Sequence, residues 1–273
     1  MRSLRMLVRH RAALAGAILL LVLVLLAAGV SLLSPYDPAL PGLDRFRSPS
    51  SAHVLGTDHF GRDLFTRLFV AARISLFIGI ACVAVAAAVG IPLGAAAGYF
   101  GGWTDLGVSR AVDVMLSFPS ILLAIAIAAP LGAGLGTVVL AVGVVGIPQF
   151  ARQARASALE LRERDFVHAA RALGAGHARI LLGTILPNSL GPLIVLATLG
   201  VGTSILAAAG LSFLGLGVQA GTPEWGAMLH DGFVDRSQSP WPALVSGLAI
   251  SLAVLGFNLF GDGLRDALDP RTK

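Results

Sequence analysis

The run from Ile74 to Thr104, ISLFIGIACVAVAAAVGIPLGAAAGYFGGWT, contains no charged residue. At 1.5 Å per residue, about 20 apolar residues cross the hydrocarbon core of a bilayer, and only a helix or a closed barrel satisfies its own backbone there. The stretch therefore predicts a spanning helix over 74–98. Gly90, Gly94 and Gly98 fall four residues apart within it, on one stripe, where missing side chains let a second helix approach closely. They are the predicted helix-packing residues. Pro92 lies inside the stripe and predicts a kink whose freed carbonyl is satisfied by neighbouring groups.

Working outward, four more charge-free runs cover residues 12–36, 114–151, 180–223 and 237–261. Over the 273 residues 56% are hydrophobic and only 13% charged, against about 25% charged in a soluble domain. The mean hydropathy is +0.82. The run 114–151 is too long for one span and is punctuated by Pro130, Gly132, Gly134 and Gly136, so it splits in two. The run 180–223 holds Pro187 and Pro192, which confine its lipid part to about 190–213. The reading is an all-α integral membrane protein with six transmembrane helices, near 12–33, 74–98, 107–129, 137–157, 190–213 and 241–261. The organisation follows: a tail, first helix and outer loop over 1–73, then a five-helix core over 74–273. The apolar stretch 12–33 exceeds the 7–15 residues of a signal peptide, so an uncleaved first helix is expected.

Basic residues close to spans stay on the cytoplasmic side. With the N-terminus inside, fourteen Lys and Arg are cytoplasmic and six, Arg45, Arg47, Arg62, Arg67, Arg73 and Arg236, are outside. Both termini are therefore expected on the cytoplasmic side of the membrane. The net charge of +5 is a topology signal beside anionic lipid and calls for no nucleic acid.

On that inner side lies Asp165-Phe166-Val167-His168-Ala169-Ala170-Arg171-Ala172-Leu173-Gly174-Ala175-Gly176, running on to Leu186-Pro187. It reads as two short helices hinged at glycine. Phe166, Ala169, Ala170 and Leu173 share one face at helical spacing, with Arg164, His168 and Arg171 on another. Such an amphipathic elbow suits docking to a soluble partner better than chemistry.

The inventory argues against an enzyme. The only lysine is Lys273, so no Gly-rich loop with a following lysine can cradle ATP phosphates, and no His-Glu-x-x-His, Cys-x-x-Cys or Gly-x-Ser-x-Gly is present. The lone Cys82 falls inside the second span and has no disulfide partner in the chain. His53 and His59 share an outer loop but lack a third ligand, so no metal site is assigned. Leu64 to Phe69 is expected to lie along the membrane face as a short helix, and Trp225 and Trp241 to sit in an interfacial belt. Asp113, with Arg110 one turn before it, reads as a snorkelling or paired end group near the inner end of the third span.

Six blocks then carry a resemblance: His53 to Asp63, Gly98-Tyr99-Phe100-Gly101-Gly102, the elbow with Ile185-Leu186-Pro187-Asn188, Leu211 to Gly217, Pro223-Glu224-Trp225-Gly226, and Phe257 to Asp266. In this order they resemble the C-type permease subunit of the dipeptide, oligopeptide and nickel ABC importers, over nearly the whole chain. The resemblance implies a type I importer permease fold. It also implies a homologous second permease, two ATPase subunits and an extracytoplasmic substrate-binding protein. No cofactor would be bound by this chain itself, with ATP and Mg on the ATPases. The segment at about 160–189 would be the ATPase-coupling segment, through Asp165, Phe166, His168, Ala169, Ala170, Leu173, Gly174, Leu186 and Pro187. The family hallmark begins Glu-Ala-Ala; here His168 stands in the glutamate position, and Asp165, one turn earlier, is the candidate replacement carboxylate.

Short peptides are the implied cargo, with nickel or a nickel chelate as the alternative. A secondary transporter driven by an ion gradient is the reading of another class. The spans show neither an internal repeat nor the central carboxylate such a mechanism uses.

Overall fold

Asp63 sets where the longest helix begins. Its carboxylate accepts from the Thr66 backbone N–H at 2.8 Å and from the Thr66 hydroxyl at 2.6 Å, an N-cap that satisfies an otherwise orphan donor. The computed structural model describes residues 11–219 and 221–268, and all regular elements among them are helical. In chain order they are α1 (Arg11–Leu33), α2 (Leu64–Phe100), α3 (Gly102–Leu116), α4 (Ser120–Leu131), α5 (Leu135–Leu161), α6 (Asp165–Ala172), α7 (His177–Ile180), α8 (Leu186–Phe213), α9 (Trp225–Val234) and α10 (Trp241–Leu268).

Five of these units are long and apolar enough to cross a membrane: α1, α2, α5, the continuous stretch His177–Phe213, and α10. The sixth span is broken, because α3 and α4 meet at 90°. The straight helix expected at 107–129 is thus corrected. Pro119 has no N–H and pushes Phe118 out of the α region, while the Ser117 hydroxyl donates to the Val114 carbonyl at 2.7 Å and closes the first half.

Two other boundaries move for local reasons. The segment Leu64 to Phe69 is no separate surface helix but the first turns of α2, which runs 37 residues and passes through Pro92 without ending. The domain division at residue 73 therefore falls inside a helix. Pro187 does not start a new helix either. Ahead of it the backbone widens over Leu181–Ile185, where the Leu186 N–H reaches the Leu181 carbonyl five residues back. The wider turn relieves the clash that the Pro187 ring would make with the carbonyl four residues earlier, and the helix carries on to Phe213.

The glycine stripe packs against α5. A Cβ on Gly90 would lie 2.7 Å from the Ile147 carbonyl oxygen, one on Gly94 2.7 Å from the Ala151 carbonyl carbon, and one on Gly98 2.8 Å from the Ala158 Cβ. Gly143 and Gly146 return the arrangement, each meeting α2, at Val85 and Ala86, within 2.9 Å. The two backbones are in contact along four turns. A lesser seam joins α1 to α10, where a Cβ on Gly16 would sit 2.6 Å from the Phe260 nitrogen.

Gly94→Val is therefore expected to destabilise the isolated subunit by about 1–3 kcal/mol or more through overpacking. Gly136, whose Cβ would meet nothing within 4 Å, should accept alanine without effect. Thermal unfolding of both variants in detergent checks the contrast.

Candidate functional site

The elbow is built by a helix stop. Leu173 ends α6, the Ala175 N–H bonds the Ala170 carbonyl at 3.0 Å and the Gly174 N–H bonds the Arg171 carbonyl at 2.9 Å. Gly174 sits at φ +81°, a conformation that glycine alone adopts without a Cβ penalty. Asp165 in the first turn and Arg171 in the last complement the helix dipole. The chain then turns into α7 at Gly176.

One side of the elbow stands on a small core. Val167, Ile180 and Ile185 are fully buried against Tyr99 at the end of α2 and Ala158 near the end of α5. The Tyr99 hydroxyl and His177 Nδ1 are 2.9 Å apart, the Arg171 guanidinium lies over the Tyr99 ring, and Arg162 donates to the Gly98 carbonyl at 2.9 Å. The elbow is thereby fastened to the end of the α2–α5 seam.

The other side is open. Phe166 is 44% exposed and Leu173 88%, with Ala169 exposed between them, so three apolar residues at i, i+3 and i+7 form a stripe that no other described residue covers. Asp165 and His168 are exposed on the flank, and Ala170 is half-buried toward the core. Leu186 is half-buried in the main core and Pro187 is exposed. The structure thus splits the predicted apolar face: Phe166, Ala169 and Leu173 point outward, while Ala170 joins Val167 inward. Sequence reasoning missed Val167 and the Tyr99–His177 contact. The helical offset of Val167 from Phe166, 100°, was the available signal; nothing local marks the long-range tyrosine contact.

The opposite end of the bundle carries a buried polar network. Asp58 accepts from the Phe60 and Arg62 backbones and from Arg62 Nε at 2.7 Å, with Arg67 Nε at 3.5 Å. Asp63 faces His53 Nδ1 at 3.0 Å. Glu224 caps α9 through the Gly226 and Ala227 N–H groups and receives the Ser75 hydroxyl. Trp225 is not interfacial as expected: it is buried, and its Nε1 donates to the Leu68 carbonyl at 2.9 Å. His59 pairs instead with Asp235 at 3.4 Å, so the two loop histidines serve different carboxylates. Among the described residues no group of three or more His, Cys, Asp or Glu is placed to hold a metal. Asp113 pairs with Arg152 of α5 at 3.0 Å and not with Arg110 on its own helix, because the two spans bring these side chains face to face.

Set beside known proteins, residues 90–273 match the family described as binding-protein-dependent transport system inner membrane component. Residues 2–50 match the N-terminal TM domain of oligopeptide transport permease C. The dipeptide transport system permease protein of Alkalihalophilus pseudofirmus is 48% identical over 99% of this chain and 90% of its own length. The glutathione transport system permease protein of Pectobacterium atrosepticum is 45% identical over 98% and 90%. Among solved structures, the inward-facing MetNI methionine ABC transporter superposes with a TM-score of 0.59 at 22% identity, covering 74% of this chain and 96% of that one, a likeness of fold.

One group at the far end gives a pH-dependent test. Burial raises the Asp231 carboxyl above its usual range, against the pull of His59, Arg62, Arg67 and His230. The folded protein then keeps this proton to higher pH than the unfolded chain, with its pKa of about 3.9. Stability falls as pH rises above the unfolded pKa, and the penalty persists at higher pH. Asp231→Asn is expected to unfold at a higher temperature than the parent at pH 7, with the gap closing toward pH 4. Tryptophan fluorescence melts across pH decide it. A less stable variant at pH 7 means the arginines hold Asp231 as a net favourable ion pair.

Proposed function

This chain belongs to the binding-protein-dependent inner membrane permeases, in their C-type peptide branch, and from that membership we propose that it forms half of a peptide pathway driven through its elbow. It is a non-catalytic membrane subunit of an ABC importer. The observation that carries the proposal is the two-sided elbow: an unpartnered stripe of Phe166, Ala169 and Leu173 outside, and a core shared with α2, α5 and α7 inside.

The elbow faces the cytoplasm, with both termini on that side, as the basic residues direct. There it docks one of two ATPase subunits. Burying Phe166 or Leu173 in a groove of that partner contributes about 1.5–3 kcal/mol each. Asp165 supplies the carboxylate that His168 does not. ATP and Mg belong to the ATPases. A homologous second permease completes the pathway, and an extracytoplasmic binding protein delivers cargo to the far end.

Closure of the ATPases on ATP moves the docked elbows together. Because the elbow core includes residues of α2 and α5, the push tilts these helices and exchanges inward for outward access; hydrolysis reverses it. The dipeptide and glutathione names of the relatives favour short peptides over nickel as cargo. A gradient-driven transporter has no use for an exposed apolar docking stripe.

Leu173→Glu changes only a side chain already in water, so the subunit should insert and fold normally while losing ATPase subunits on co-purification by roughly tenfold or more. Gly174→Val forces a β-branched residue into φ +81° with open space around it. It is expected to leave the complex assembled yet uncouple ATP hydrolysis from uptake in proteoliposomes. Wild-type transport by that complex would contradict the lever.

A further inference from the structure

Between α3 and α5 lies a charged groove that the elbow does not use. Arg155 grips Asp105 with both arms of its guanidinium, Nη2 to Oδ2 at 2.7 Å, and the Ser109 hydroxyl donates to Asp105 at 3.2 Å. This pair ties the two helices together. Beside it, Arg152 Nη2 meets Asp113 Oδ1 at 3.0 Å through a single contact, and the two side chains remain 59% and 55% exposed. Val108, Val112 and Ala151 complete a half-open groove of about 240 Å³.

We propose that this groove is a station for the zwitterionic ends of a cargo peptide, the Arg152 guanidinium taking the carboxylate and the Asp113 carboxylate taking the ammonium. The inference rests on the peptide-importer reading above. Arg152, Arg155 and Asp113 bound the charge-free run 114–151 and lie at its cytoplasmic side, where the basic residues set the topology. The groove therefore opens on water or on the second permease. Its lining carries Arg152, Arg155 and Asp113, with Arg155 already neutralised by Asp105, so the Arg152–Asp113 pair is left to match a molecule carrying both charges. Arg152 has four guanidinium donors left over from its single contact and Asp113 has free lone pairs. An ion pair this exposed contributes little by itself, so a ligand that replaces it with two charge-assisted contacts meets a small barrier.

The position fits transient binding. Ala151 and Arg155, on the groove, are also the α5 residues whose backbones abut Gly94 and Gly98. A displacement of α5 carried through that seam shifts Ala151 and Arg155 against α3 and so alters the groove, as a station that must release its ligand in one state requires.

The test uses the complete detergent-solubilised complex, nucleotide-free and without binding protein, with a millimolar dipeptide bearing a diazirine side chain. After photolysis, peptide mapping should place the label on residues 108–113 or 151–155. Excess free dialanine should compete it away, and N-acetyl-dialanine amide should not. Asp113→Asn and Arg152→Gln, in complexes verified by size exclusion, should each lower labelling roughly tenfold, the effect of one charge-assisted contact. Label elsewhere or absent, or equal competition by the blocked peptide, overturns the station even if a variant fails to assemble. ATP-driven dipeptide uptake by the wild-type complex is measured in parallel: uptake without groove labelling sinks the station alone, whereas no uptake sinks the importer reading itself.

Discussion

Direct backbone contact between α2 and α5 is the constraint on which the rest of this structure depends. Lipid chains are as apolar as leucine, so burying leucines between two membrane helices gains little, and close packing of small residues has to supply the attraction. Gly90, Gly94 and Gly98 on one side, with Gly143, Gly146, Ala151 and Ala158 on the other, bring the main chains together over several turns. That contact fixes the register of α5 on α2. Register in turn places Tyr99 beneath the elbow, Arg162 on the Gly98 carbonyl, and Arg152 and Arg155 opposite α3.

The two ends of the bundle are finished differently. At the far end, Asp58, Asp63, Arg62, Arg67 and Glu224 are almost fully buried, and each is paired or hydrogen-bonded. Removing one member of such a network leaves another charge buried without a partner, so the end behaves as a unit. Backbone ties extend it: Trp241 Nε1 holds the Leu55 carbonyl and Arg67 holds that of Pro38. The elbow end has exposed apolar residues and ion pairs at the surface.

The sequence announces features whose signal is local. Charge-free runs located the membrane helices because the bilayer excludes charge along whole segments, and the recurrence of glycine at 90, 94 and 98 marked the seam without naming its partner. The elbow was legible for the same reason: Gly174 and the spacing of Phe166, Ala169 and Leu173 are short-range. What was missed depends on three-dimensional neighbours. Asp113 has Arg110 one turn away in sequence, yet α5 presents Arg152 to it. Trp225 has the composition of an interfacial residue, but Glu224 caps α9 and turns the indole inward, toward the Leu68 carbonyl. Pro119 and Pro187 look alike in the sequence and act oppositely. The first ends a helix, whereas the second is absorbed by a widened turn over Leu181–Ile185.

Those two prolines bear on how a push at the elbow would travel. Force applied at Phe166 and Leu173 enters a core containing Val167, Ile180, Ile185, Tyr99 and Ala158, residues from both sides of the α2–α5 seam. A seam of touching backbones is stiff, since well-packed interiors resist compression and switch between discrete arrangements. Compliance belongs where the i to i+4 ladder is interrupted: at 117–119, where α3 and α4 part at 90°, and at Leu181–Ile185, where the turn is widened. The first break lies directly beyond Asp113 and the second directly beyond the elbow. The helical ladder is thus interrupted on either side of this seam, directly beyond Asp113 and directly beyond the elbow, while the Arg155–Asp105 pair ties α3 to α5.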